Sequence, residues 1–238
     1  MQDHVFQPMM PVCVVDLNHR DDAHDFAAMK VAGIRGVIHK ASEGKDFADP
    51  KFAERRKAIE AVGLLMGAYH WCNAASVEAQ VTFFLHCCGS LDGLLLAADF
   101  ENHPHDASRD MSLTQLREFL TMLMQRTGRG PCGIWLYGGN RFKEEIVAPE
   151  DRSFFGQFNL WLCQYGPRAI LPAPWKRYGL WQCSADGHGN PPHTIPGSST
   201  YGIDLNVYGG ANADDLASEW AQVNPQSTPI AATADVTR

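Results

Sequence analysis

The stretch Leu94-Leu95-Leu96-Ala97-Ala98-Asp99-Phe100-Glu101 is an apolar run that ends in two acids one residue apart. A short apolar run of this kind is typical of a strand buried on both faces, as in a parallel sheet. Residues i and i+2 of a strand project from the same face, so Asp99 and Glu101 are predicted to share one pocket. Buried charges are unfavourable unless a site uses them. The stretch therefore indicates a buried strand that is followed either by a functional carboxylate pair or by two solvated acids in a loop.

The composition is that of an ordinary globular protein. The 238 residues, 45% hydrophobic and 20% charged, suit one large α/β domain or two small ones. A net charge of −7 argues against a nucleic-acid partner, which usually needs a basic face. No apolar run approaches the roughly 20 residues of a membrane span. Seven cysteines without metal-ligand spacing predict reduced core thiols and no metal site.

Strand-like and helix-like segments alternate along the first two thirds of the chain. Five predicted strands each precede a predicted helix, with the strands at 11–16, 34–40, 64–71, 94–100 and 133–137 and the helices at 22–32, 50–62, 76–88, 112–127 and 140–147. Three more predicted strands are joined by Pro- and Gly-rich segments, at 160–165, 178–183 and 201–207. Five strand–helix units followed by three helix-poor strands predict an irregular (β/α)5β3 TIM-like barrel. A doubly wound open sheet is the competing arrangement.

The chain divides into an N-terminal extension (1–10), a barrel (11–211) and a C-terminal extension (212–238). The last of these holds one short amphipathic stretch and then the polar segment PQSTPIAATADVTR, which is expected to be partly disordered. The first ten residues carry an acid, a His and a Pro where a signal peptide would have a basic start and an apolar run. We therefore expect synthesis in the cytoplasm without signal-dependent secretion.

In a barrel, the C-terminal ends of the strands meet at the face that carries the active site. The predicted strand ends bring acids, aromatic rings, amides and one lysine to that face: Asp16, Lys40, Tyr69, Asp99, Glu101, Tyr137, Gln164, Trp181, Gln182 and Asp204. Rings that stack on sugars and polar groups that pair with hydroxyls indicate a carbohydrate site. A carboxyl held protonated beside one held ionised is the pair that glycoside hydrolysis requires. Structural explanations also exist, such as a helix cap for Asp16 or core packing for Trp181.

Eight segments occur in an order that resembles glycoside hydrolase family 25, the bacterial and phage lysozymes (muramidases) related to the Chalaropsis enzyme and to phage endolysins. They cover roughly residues 11–210: VVDLNH, HKASEGKDFADPKF, GLLMGAYHW, LLLAADFEN, GIWLYGG, LWLCQY, YGLWQCS and YGIDLNVYGG. The D-x-E pair and the D-L-N of the last segment are the most specific. Three positions depart from the family pattern, at Leu17 after the first Asp, at Gly138 after the strand-five Tyr and at Cys183 after the Trp-Gln pair.

The resemblance implies a (β/α)5β3 barrel that hydrolyses the glycan strand of peptidoglycan without a cofactor. The bond implied is the β-1,4 bond between N-acetylmuramic acid and N-acetylglucosamine. Glu101 is implied as the acid that protonates the leaving oxygen, and Asp99 as its partner. Asp16 and Asp204 would complete an acidic floor, and Tyr69 and Tyr137 would line the site near the reacting sugar.

Two aspects of the chemistry stay open. The α-carbons of Asp99 and Glu101 should lie about 6.6 Å apart on a strand, which does not separate the carboxyl spacing of retaining enzymes (about 5–5.5 Å) from that of inverting ones (about 6.5–9.5 Å). The resemblance favours retention, with either Asp99 or the substrate's acetamido oxygen as nucleophile.

The alternative functions are a chitinase-like or endo-N-acetylglucosaminidase-like hydrolase, and a catalytically inactive wall-binding module. We expect a monomer that acts on the cell wall after release by phage-type lysis or specialised secretion.

Overall fold

In the described part of the computed structural model, ten strands form one sheet that closes on itself, and seven α-helices pack around it. The structure describes residues 12–189 and 191–222. The N-terminal extension, the predicted strand position Pro11 and the tail beyond Gln222 lie outside this range. In chain order the elements are β1 Val12–Leu17, α1 Phe26–Val31, β2 Gly36–Glu43, β3 Phe47–Ala48, α2 Phe52–Ala61, β4 Leu65–Trp71, α3 Val77–Cys88, β5 Leu95–Asp99, α4 Leu113–Thr127, β6 Ile134–Gly138, α5 Asn140–Glu145, α6 Pro149–Phe155, β7 Asn159–Cys163, β8 Leu180–Ala185, β9 His188–Gly189, β10 Asp204–Tyr208 and α7 Leu216–Trp220.

Eight of these strands make the barrel wall. Strands β1, β2, β4, β5, β6, β7 and β8 pair in parallel in that order, and β10 closes the ring by pairing antiparallel with both β8 and β1. The short strands β3 and β9 extend β2 and β8 as antiparallel ribbons. The predicted irregular (β/α)5β3 barrel is confirmed, and the open sheet is wrong because no edge of the wall is left unpaired at β1.

Side chains alternate across the wall, as the period-2 geometry of strands requires. In β5, Leu96 and Ala98 pack outward against the helices, whereas Leu95, Ala97 and Asp99 point into the barrel. The longest helix, α4, begins with a capping box between Ser112 and Gln115 and buries its apolar face against the outer layer. None of the helices in the described ranges is long and apolar enough to cross a bilayer.

Two helices differ from the predictions. Helix α1 begins at Phe26 rather than at residue 22, because Asp25 caps it and the backbone N–H groups of His24 and Asp25 donate to the carbonyl of Gly197. Helix α6 was not predicted at all. It starts with Pro149 in its first turn and spans only seven residues, too few to show a helical period in the sequence.

The last predicted strand starts three residues late, at Asp204. Gly202 sits at φ +81°, a conformation that strands do not use, and a Cβ there would lie 2.3 Å from the backbone nitrogen of Gly187. The chain therefore turns at this position before it enters β10.

The N-terminal end of the barrel is covered by the start of the predicted C-terminal extension. Trp220 of α7 is 1% exposed, and its indole N–H donates to the carbonyl of Met66 at 2.7 Å. Its ring lies so close to Gly36 that a Cβ there would be 2.6 Å from it. The described residues 212–222 thus include part of the packed core.

Candidate active site

Asp99 and Glu101 lie together at the C-terminal end of β5. Asp99 is the last residue of the strand, and Phe100 turns outward to stack on Phe142 at 6.0 Å. The guanidinium of Arg141 lies 3.6 Å from the ring centroid of Phe100 and donates to the carbonyl of Glu101 at 3.1 Å. These contacts fix the backbone between the two acids. Both carboxyls consequently lie at the mouth of the barrel.

Burial raises the pKa of both carboxyls. The side chain of Asp99 is 3% exposed, and desolvation followed by the charge of Glu101 holds its pKa well above the ordinary range, while Lys40 opposes the shift. Desolvation, with the charge of Asp16, raises the pKa of Glu101 to about 7, and a hydrogen bond from the Cys163 thiol opposes this rise. The pair therefore holds at least one proton near neutral pH. Asp99 Oδ1 is also buried without a hydrogen-bond partner among the described residues.

A second pair of acids lies across the barrel mouth from Asp99 and Glu101. Asp16 and Asp204 are direct cross-strand partners in the antiparallel β1–β10 ladder. Asp16 accepts hydrogen bonds from Asn206 at 2.7 Å and, on both oxygens, from the amide of Gln182 at 3.1 Å. Burial raises the pKa of both acids, that of Asp204 further because it faces the charge of Asp16. The neutral donors favour the ionised form of Asp16, so Asp204 carries the proton of this pair.

Gln182 links the acids to the aromatic side of the mouth. Its amide nitrogen donates to Asp16, and its oxygen accepts from the hydroxyl of Tyr137 at 2.8 Å and from that of Tyr165 at 3.2 Å. These donors and acceptors fix the orientation of the amide. The side chain is 1% exposed, so it holds its neighbours in place and is not itself on the surface of the site.

Three aromatic rings form the floor below the acids. Trp161 contacts Tyr137 edge-on at 4.5 Å between ring centroids and Tyr69 at 6.2 Å. Its indole N–H donates to Asn206 at 2.6 Å. Tyr69 and Tyr137 are 8% and 7% exposed, and burial beside the acids raises the pKa of both phenols. The floor therefore offers neutral rings and hydroxyls beneath the carboxyl groups.

A cavity of about 650 Å³ opens beside Glu101 at the mouth of the barrel. This volume suits a small-molecule or sugar ligand, since such sites usually measure roughly 300–1,000 Å³. Of the four site acids, Glu101 alone lines it, together with Trp71, Phe100, Asn102, Pro104, Gly139, Asn140, Arg141, Cys163, Gln164 and Tyr165.

The structure places one predicted site residue outside the site and changes the role of two others. Trp181 lies on the outer face of β8, within the core between wall and helices, because its neighbour Gln182 takes the inward position. Gln182, predicted as a substrate contact, is buried beneath the acids. Lys40 points to the mouth but is paired with Glu43 at 2.6 Å and lies over the Trp71 ring at 4.8 Å. Its ammonium group is therefore not free to bind a substrate, and it places a positive charge near Asp99. Gln164 lines the cavity.

Several residues at the mouth were not identified from the sequence as site residues. Cys163 was interpreted as a core thiol, although it follows Trp161 by two residues and so shares its inward face. Asn102 follows Glu101 just beyond β5, and Asn140 follows Gly139 just beyond β6. This position after a strand end is the only feature of the sequence that marks them. Within the described ranges, no three His, Cys, Asp or Glu side chains converge as metal ligands would.

The family model for "Glycosyl hydrolases family 25" matches residues 15–190, about three quarters of the chain. The chain belongs to this family. It is therefore a glycoside hydrolase of the lysozyme type, the class that hydrolyses peptidoglycan. The match includes Asp16, Asp99, Glu101 and Gln182 and ends before Asp204, which the closed β1–β10 pairing brings to the same mouth.

Curated and solved lysozymes and muramidases are similar to most of this chain. Lysozyme M1 of Streptomyces globisporus is 25% identical over 215 residues, which cover 85% of this chain and 69% of that protein. A muramidase from Acremonium alcalophilum is 26% identical with a TM-score of 0.70, covering 89% of this chain and 99% of that one. A bacterial lysozyme from Streptomyces coelicolor, 23% identical with a TM-score of 0.74, shares the fold over 90% of this chain and 98% of its own.

Proposed function

We propose that this family 25 hydrolase is an N-acetylmuramidase with Glu101 as its general acid. It would cleave the β-1,4 bond between N-acetylmuramic acid and N-acetylglucosamine in the cell wall. The observation that carries the proposal is the Asp99/Glu101 pair, in which Asp99 is buried and the partly exposed Glu101 alone reaches the cavity. A general acid must hold a proton at working pH, and burial raises the pKa of Glu101 to about 7.

Substrate binding supports the division of roles between the two acids. Asp99 is the more deeply buried carboxyl, and its Oδ1 has no hydrogen-bond partner among the described residues. The 2-acetamido group of the sugar over the barrel mouth carries an N–H that this oxygen can accept. Such a bond stabilises the Asp99 anion, which leaves the proton of the pair on Glu101. Glu101 is thus protonated when the sugar is bound.

The same hydrogen bond favours retention of configuration, with the acetamido group of the substrate as the nucleophile. An acetamido group whose N–H is held by Asp99 presents its carbonyl oxygen to the anomeric carbon as nucleophile. Glu101 protonates the glycosidic oxygen as the bond to the leaving sugar breaks, and then, as a carboxylate, accepts a proton from the water that opens the cyclic intermediate. Asp16, held ionised by Asn206 and Gln182, favours the positive charge that develops on the sugar ring.

Mass spectrometry of fragments released from purified peptidoglycan tests the function. N-acetylmuramic acid is expected at the new reducing end, in the β configuration if the fragments are trapped early. N-acetylglucosamine at that end, or faster hydrolysis of chitin oligomers, would instead indicate a glucosaminidase or chitinase. Binding to the wall with no new reducing ends would indicate an inactive binding module.

Glu101→Gln and Asp99→Asn should each lose nearly all of this activity, because the first removes the transferable proton and the second the anion. Glu118→Gln is the matched control, since Glu118 is an exposed acid on α4. Normal lysis by Glu101→Gln would refute the assignment of the acid.

A further inference from the structure

The cavity beside Glu101 is lined mainly by residues that follow β5, β6 and β7. Asp16, Asp99 and Asp204 do not line it, and they lie together over the aromatic floor at the barrel axis. In glycoside hydrolysis the acid stands at the bond between two sugars. The sugar that reacts at its anomeric carbon must lie near Asp99, hence over the axis. The cavity beyond Glu101 is then the place of the sugar that leaves.

Two amide side chains in this cavity have no hydrogen-bond partner among the described residues. Asn102 follows Glu101 directly, and Asn140 is the first residue of α5, which follows the neighbouring strand β6. Both are exposed, both line the cavity, and neither side chain makes a hydrogen bond with the described residues. An amide supplies both a donor and an acceptor, which matches the C=O and N–H of an acetamido group. The exposed ring of Tyr165, 41% accessible, offers an apolar face in the same cavity.

The charges in the cavity favour a sugar without a peptide substituent. Arg141 is the one basic residue in its lining. Its guanidinium lies on the Phe100 ring and donates to Glu145 and to the carbonyls of Glu101 and Met111. No lining cation is therefore free to bind a stem-peptide carboxylate. In the peptidoglycan glycan strand, the N-acetylated sugar that carries no peptide is N-acetylglucosamine.

We propose that Asn102 and Asn140 bind the acetamido group of the leaving N-acetylglucosamine and make hydrolysis depend on its N-acetylation. The proposal rests on the proposed muramidase function for the identity of the sugar. Its direct consequence is that a wall whose glucosamine residues are N-deacetylated is a poorer substrate. A free amine in that position loses the carbonyl acceptor and brings a positive charge.

The first experiment measures binding without catalysis. Methyl β-N-acetylglucosaminide and methyl β-glucoside are titrated by NMR into the wild type, Asn102→Ala, Asn140→Ala, the double variant and Gln125→Ala. Gln125 is an exposed amide on α4, away from the mouth, and serves as the matched control. Each Asn substitution should weaken binding of the N-acetylated glycoside about five-fold, the effect of one neutral hydrogen bond, and leave the glucoside unchanged. Equal binding of both glycosides, or no loss in the Asn variants, overturns the proposal.

The second experiment measures turnover on two forms of one wall preparation. One form is treated with a peptidoglycan N-acetylglucosamine deacetylase, and the other is treated and then re-acetylated with acetic anhydride. The wild type and Gln125→Ala should hydrolyse the re-acetylated wall at least five-fold faster, and the double Asn variant should show a ratio near one. A ratio that is the same in all variants overturns the proposal even if the wall is cut at the muramidase bond. Glycoside binding that depends on the two Asn residues, without any wall hydrolysis, would support their role in binding the acetamido group and refute the muramidase function.

Discussion

Replacing Glu101 by Gln should stabilise the folded protein while it abolishes hydrolysis. Burial raises the pKa of this carboxyl from an ordinary 4.5 to about 7. A group with a raised pKa in the folded state opposes folding once the pH exceeds its unfolded pKa, because the unfolded chain releases the proton first. The full rise corresponds to about 3 kcal/mol at about 1.4 kcal/mol per pH unit above pH 7. The carboxyl reaches the open cavity, where solvent screens it, so about 1–2 kcal/mol is expected.

Thermal unfolding at pH 4.5 and pH 8 checks this value. A gain of 1–2 kcal/mol raises the midpoint of a domain of this size by about 2–8 °C. Glu101→Gln should show that gain at pH 8 and much less at pH 4.5, where the native carboxyl is protonated. Glu118→Gln, an exposed acid on α4, should shift neither midpoint. An equal gain at both pH values, or none at pH 8, would refute the reasoning that the raised pKa of Glu101 opposes folding at high pH.

Three further outcomes are expected from the same geometry. The kcat/KM for wall hydrolysis should stay level as the pH rises past about 7, because the free pair keeps its single proton on Asp99, and should fall below about pH 7, where both carboxyls are protonated and the Asp99 anion is lost; a loss of activity that begins at pH 7 on the alkaline side would contradict this. Gln182→Leu should lower kcat at least tenfold and the free energy of unfolding by about 2–4 kcal/mol, since it leaves Asp16 and Tyr137 short of partners; kinetics and urea unfolding measure both. Trp220→Ala should cost about 3–5 kcal/mol in urea unfolding, with a smaller loss in Trp220→Phe; a neutral effect would show that α7 does not close the barrel.

Most of the barrel could be predicted because its strands carry their signal locally. Runs such as Leu94–Phe100 are apolar on both faces, and the helices between them show a clear 3.6-residue period, as in α4. Helix α6 escaped prediction because two turns are too short to establish a period. The start of α1 was misplaced because backbone bonds to Gly197, distant in sequence, decide it. Tertiary contacts override local preference at such ends.

The site was predictable where a side chain's direction follows from its position in a strand. Asp16, Tyr69, Asp99, Tyr137 and Asp204 all alternate inward with their apolar neighbours. Trp181 was assigned to the site, although the same alternation turns either Trp181 or Gln182 inward but not both. The sequence could not choose between them, because each suits a buried position when its polar group is satisfied. The closed barrel decided, by placing Asp16 where the amide of Gln182 can donate to it.

The sequence by itself determined the family, the order of the eight wall strands and of most helices, and the two acids that follow one another at the end of β5. These follow from local patterns, since a period of two residues fixes which side chains point together. Only the tertiary structure decided how the acids are protonated, which amides hold them and which residues line the cavity beside Glu101. Those properties depend on desolvation and on partners from strands far apart in sequence, such as β1, β8 and β10, which meet only when the barrel closes.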